Sequence, residues 1–172
     1  LDGLHANFAS FADSGEGNTV LDLALADYDE TMRVNVRGFL LCTRHALPAL
    51  IARGGGSILY TSSASAYRGV KSRVAYAMSK AAGHALMRHV ASTFGKDGVR
   101  ANTIAPGSVM HERLESELAK EFKDWMLGNA AIKSRLGRPA DIAAMSALLM
   151  SDEGFYVTGQ VINVDGGLTM RA

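Results

Sequence analysis

The sequence predicts an α/β fold, a parallel sheet with helices packed on both of its faces. Three observations carry that expectation. Short apolar runs alternate with longer segments of helical periodicity, the order of βαβ units. Turn-forming residues punctuate the boundaries, at residues 54–56, 95–98, 106–107 and 137–139. The chain has 172 residues, of which 48% are hydrophobic and 20% charged, enough for one core and too few for two ordinary domains.

The elements follow in order. Residues 1–6 are mostly apolar and lead into small polar residues, which reads as a strand and its exit. Residues 11–20 carry turn formers and read as a surface loop. Asp27 with Glu30 three residues later makes a capping-box-like start. Tyr28, Met32, Val36, Phe39, Leu40 and Leu47 then recur at helical spacing, so a helix is expected over 28–52, with Pro48 bending it or marking its last turns. Gly54, Gly55 and Gly56 come after a helix and before a strand, the reverse of a phosphate cradle, so they read as a helix stop.

Residues 57–62 form a second strand and 74–94 a second long helix. Residues 99–104 form a third strand, halted by Pro106 and Gly107. Leu114, Leu118, Phe122, Trp125 and Met126 give 111–127 an amphipathic pattern. A helix over 140–150 and a strand over 160–164 complete the chain. Ligands of such sheets sit beyond the carboxyl ends of the strands, which here hold Asn7, Ser63, Pro106 and Gly107.

Composition narrows the function. Eighteen Lys and Arg against 17 Asp and Glu leave a net charge of +1, so no nucleic-acid partner is expected. The apolar runs are shorter than the ~18–20 residues a bilayer requires, so no membrane partner is expected either. The single cysteine, Cys42, excludes an internal disulfide and a multi-cysteine metal site, and a cytoplasmic setting is the expectation.

Tyr76 and Lys80 are four residues apart on a predicted helix and so share a face. A free phenol titrates near ~10, and a neighbouring ammonium favours its ionised form. Such a tyrosine can give a proton to a carbonyl oxygen or take one from an alcohol. A surface Tyr–Lys pair has the same spacing, so the surroundings matter. Ser63 ends a strand thirteen residues earlier, and the loop between can bring the two hydroxyls together. Asn35 sits in mid-helix, where a buried amide needs partners, a bound water among them.

Together these pieces resemble the short-chain dehydrogenase/reductase family, and in particular 3-oxoacyl-acyl-carrier-protein reductases. The resemblance runs through Val34-Asn35-Val36-x-Gly38, residues 58–63 and Tyr76-Ala77-Met78-Ser79-Lys80-Ala81. It continues through Val99 to Gly107, Gly137-Arg138-Pro139 and the closing residues 158–167.

The resemblance implies a Rossmann-like doubly wound sheet, of which residues 1–172 supply one domain, the C-terminal two-thirds with about four strands. It implies an NAD- or NADP-dependent oxidoreductase interconverting a small-molecule alcohol and a carbonyl. Tyr76 would be the acid/base and Ser63 would hold the substrate oxygen. Lys80 would lower the phenol's pKa and bind the nicotinamide ribose, and Asn35 would hold a water behind Lys80. Asn7, Ala9, Tyr76, Lys80, Pro106, Gly107 and Val109 would contact the cofactor, and residues 108–136 would form a substrate lid. A homotetramer or homodimer through the long helices and last strands is also implied.

Three departures stand out. The family's Asn-Asn-Ala-Gly turn reads Ala6-Asn7-Phe8-Ala9, which puts side chains where a cofactor comes close. His111 stands where the family usually has threonine. The family's opening strand and glycine-rich phosphate turn have no counterpart, so a segment preceding Leu1 is expected, together with an unpaired edge on the first strand. The alternative expectation is a truncated or inactive member that serves as an assembly or binding module.

Overall fold

The computed structural model describes residues 1–13 and 19–170. Residues 14–18, the middle of the loop expected over 11–20, and residues 171–172 lie outside them. Four parallel strands run in sequence order across one sheet: β1 (Gly3–Ala6), β2 (Gly56–Thr61), β3 (Val99–Pro106) and β4 (Val161–Val164). β1 pairs only with β2 among the described residues, which leaves the expected open edge.

Strand alternation sends neighbouring side chains of β2 to opposite faces. Ile58 and Tyr60 join Phe39, Leu50, Met87 and Val90 beneath α2 (Gly38–Ala52) and α3 (Val74–Phe94). Leu59, with Ile104 and Leu149, faces α6 (Pro139–Met150) instead. Ser57 Oγ donates to Leu149 O at 2.9 Å and ties that second face to the sheet. Helices therefore cover both faces, and the fold is the expected Rossmann-like α/β arrangement.

The first long helix differs from its expectation in two places. It begins at Leu25, as α1 (Leu25–Met32), with Ala24 rather than Asp27 at the cap. Asp27 instead lies in the first turn, where a carboxylate suits the helix N-terminus, and Glu30 pairs with Arg33 at 2.7 Å. The helix then widens into a π turn over Arg33–Arg37, centred on Asn35, before continuing as α2. Pro48 lies inside α2 without ending it. The stop is built by glycine as expected: Gly54 and Gly55 adopt positive φ, and their N–H groups bond the carbonyls of Ile51 and Leu50 at 2.9 Å.

The pattern expected over 111–127 forms two short helices, α4 (Glu112–Glu117) and α5 (Lys120–Asn129), separated at Leu118 and Ala119. The chain after α5 is pinned to the C-terminal loop, where Gly166 O accepts from Ala131 N and Ile132 N at 2.8 and 2.9 Å.

Candidate active site

Three elements converge at the carboxyl end of the sheet. β2 ends at Thr61, and Ser63 follows in extended conformation, its Oγ accepting from Ser65 N at 3.1 Å. α3 opens with Tyr76 in its first turn and Lys80 one turn later, both facing inward and only 8% and 2% exposed. The loop after β1 brings Asn7 to the same end. A cleft of about 590 Å³ is lined there by Asn7, Ser63, Tyr76, Pro106, Gly107 and Val109, together with His5. Ala9 and Lys80, also expected at the cofactor, are not among the lining residues.

Phe8 does not crowd this cleft. Its ring packs edge-on against Phe39 at 5.1 Å, over Gly38, where an added Cβ would lie 2.7 Å from the Phe8 ring. The glycine of the Val34-Asn35-Val36-x-Gly38 motif is thus the space into which Phe8 folds. What the loop presents to the site is backbone: Phe8 O accepts from Lys80 Nζ at 3.3 Å.

Lys80 Nζ also donates to Thr61 O at 2.8 Å and lies 5.2 and 5.6 Å from the ring centres of Phe39 and Tyr76. Burial brings its pKa down to about 8. Tyr76 moves the opposite way to the expectation from spacing. Burial raises its pKa, the Ser63 hydrogen bond and the Arg73 charge oppose that rise, and Asp13 adds to it. Two cations thus lie near the phenol ring, Lys80 Nζ held by two carbonyls and the Arg73 guanidinium 4.6 Å from the ring centre.

Asn35 is fully buried, and its amide is spent on protein partners. Oδ1 accepts from Ser10 N at 2.6 Å, while Nδ2 donates to Ser79 Oγ at 2.9 Å and Ser10 O at 3.3 Å. The side chain therefore stitches the loop after β1 to α3, which accounts for an asparagine at a π turn.

Other positions fall away from the cleft. His111 caps α4, its Nδ1 accepting from Leu114 N at 3.4 Å. Tyr67 stacks on His84 at 5.0 Å rather than facing the cleft, and His84 in turn bonds Ser62 Oγ at 2.7 Å.

Sequence reasoning missed three residues. His5 bonds Thr61 Oγ1 at 2.9 Å in the cleft, and its pKa is lowered by burial; a polar residue two before Asn7 in an apolar strand was its signal. Asp13 lies in the segment read as surface loop yet is fully buried, its Oδ2 accepting from Tyr76 N at 2.8 Å as a cap on α3. Arg73 stands at the start of α3 with its guanidinium 4.6 Å from the Tyr76 ring centre. Nothing in the local pattern announces either of these two.

Known proteins resemble this chain in sequence and fold. Residues 1–169 match the family model described as enoyl-(acyl carrier protein) reductase. A probable short-chain type dehydrogenase/reductase of Bradyrhizobium diazoefficiens is 42% identical over 149 residues, which are 87% of this chain and 53% of that protein. The structure of a 7α-hydroxysteroid dehydrogenase complexed with NADH and 7-oxo glycochenodeoxycholic acid superposes with a TM-score of 0.85 at 34% identity, over 97% of this chain and 63% of the other. A 3-oxoacyl-[acyl-carrier protein] reductase from Brucella melitensis gives a TM-score of 0.90 at 28% identity, over 99% and 64%. The chain spans about half to two-thirds of the length of these relatives.

Proposed function

The chain belongs to the short-chain dehydrogenase/reductase family, and on that premise we propose that it carries the proton-transfer wall of an NAD- or NADP-dependent oxidoreductase acting on a small-molecule alcohol or carbonyl. The observation that supports this most is the convergence of the Ser63 hydroxyl, the Tyr76 phenol and the buried Lys80 ammonium at the carboxyl end of β2. Asn7, Pro106, Gly107 and Val109 line the same cleft, and Phe8 is folded away from it, so the residues present fit the nicotinamide end of such a cofactor. When bound, the cofactor supplies or accepts the hydride.

In reduction, the Tyr76 O–H gives its proton to the carbonyl oxygen, whose developing negative charge the Ser63 hydroxyl meets with a hydrogen bond. In oxidation the phenolate takes the alcohol proton back. Lys80, held by Thr61 O and Phe8 O, keeps a positive charge near the ring and would bind the nicotinamide ribose of the cofactor. Asn35 acts as a positioning residue, fixing the carbonyl-bearing loop and α3 to each other.

Residues 108–136 serve as the substrate lid over this one domain, and assembly into a homodimer or homotetramer in the cytoplasm completes the reading. Titrating the whole protein with NADH and NADPH, followed by nicotinamide fluorescence, tests it. Saturable binding of at least one is expected. Binding of neither overturns the oxidoreductase reading and leaves the assembly-module alternative.

A further inference from the structure

Arg73 has the one positive φ outside glycine among the described residues, +61° with ψ 45°. A left-handed arginine is strained against the ordinary helical region, and such a conformation persists only where its surroundings impose it. Here the surroundings are aromatic. Phe11 stacks on Tyr76 with ring centres 5.1 Å apart and 21° between planes, and the Arg73 guanidinium lies 5.2 Å from the first ring and 4.6 Å from the second. The turn into α3 folds the arginine back over the residue three positions on.

Its charge is not spent elsewhere. Among the described residues no carboxylate pairs with Arg73, and its buried Nε has no hydrogen-bond partner. The titratable groups around the phenol are few. Asp13 comes from the loop after β1 and is engaged by the Tyr76 N–H, while Arg73 and Lys80 come from the same helix as Tyr76. His5, from β1, is bonded to Thr61 in the cleft.

We propose that Arg73 is a positioning residue for the Tyr76 phenol: clamped over the ring by its left-handed turn, it fixes the ring plane and adds a second positive charge beside that of Lys80. A guanidinium suits this task because it is planar, stays charged and stacks on aromatic faces, whereas an ammonium is a compact and strongly hydrated charge. The arrangement places two cations near one phenol, Arg73 from the turn into α3 and Lys80 from the turn after Tyr76. It rests on Tyr76 being the acid/base group.

Phenolate absorbance at 295 nm, titrated in the whole protein with the Tyr76→Phe variant subtracted, isolates the Tyr76 midpoint without any cofactor. Arg73→Gln raises that midpoint by about one pH unit, and the acidic limb of kcat/KM for alcohol oxidation moves with it. Arg73→Gly gives the same upward shift with an unchanged or higher Tm, because glycine accepts the left-handed backbone; this variant carries the test if the glutamine variant fails to fold. Arg73→Lys shifts the midpoint less than Arg73→Gln. Midpoints unchanged in both the Gln and Gly variants, with Tyr76→Phe still inactive, overturn the role of Arg73. Turnover retained by Tyr76→Phe instead overturns the acid/base reading itself.

Discussion

Asn35, Ser79 and Lys80 are 0–2% exposed and bonded to partners on separate elements, whereas α5 buries none of its residues. Phe122 and Trp125 of α5 stack on each other at 5.5 Å and remain 48% and 59% exposed. The segment 108–137 is held chiefly near its ends, through the Val109–Gly137 bridge and the Gly166 carbonyl. One region is locked around the proposed acid/base group; the other is lightly anchored and carries apolar surface. Groups that must meet an oxygen within hydrogen-bond range need the first kind of support. Segments that admit and release ligands are drawn from the second.

The contrast predicts a graded series of effects on stability. Asn35→Ala removes three hydrogen bonds and strands buried partners, at a cost of about 3 kcal/mol. Thermal unfolding should show it as a drop of roughly 6–12 °C. A drop no larger than that of a surface substitution would mean the locked region is not held by this amide.

Lys80 should leave its mark on pH dependence. Its folded pKa, about 8, lies below the ordinary lysine value of 10.5, so the unfolded chain binds more protons between those values and stability rises with pH across the window. The gain approaches about 3 kcal/mol at its upper end. Above about pH 10 the buried tyrosines oppose it, since Tyr60 is raised to about 12 and Tyr76 is raised too. Denaturant unfolding of Lys80→Met between pH 8 and 10 should lose this upward slope; an unchanged slope would assign it to another group.

Asp13→Asn weakens the cap on α3 by about 1 kcal/mol, readable as a shift in the denaturant midpoint. The smallest effect belongs to the lid. Trp125→Ala should change stability by less than about 0.5 kcal/mol while altering the KM of the substrate more than kcat. A large loss of stability there would erase the distinction between the two regions.

Much of this was readable in the chain. The helix over 74–94 coincides with α3 because its apolar spacing is long and uninterrupted, and the glycines at 54–56 stop a helix as their order required. The convergence of Ser63 with Tyr76 and Lys80 follows from strand order. The π turn at Asn35 left no trace, since one widened turn barely disturbs a 3.6-residue period over a long helix. The break at Leu118 and Ala119 was hidden by an apolar pattern that continues across it. Asp13 and Arg73 were invisible for another reason. Their partners lie in space rather than in sequence, and a charged residue in a loop reads as solvated until tertiary packing buries it.

The most direct test of the account is Tyr76→Phe, with turnover and NAD(P)H affinity measured on the same preparation. The account predicts a turnover loss of about 10²–10⁴-fold, because only the phenolic hydroxyl is removed, with cofactor affinity within a few-fold of the parent. Turnover retained at near-parent rates would contradict it and move the proton transfer to another group.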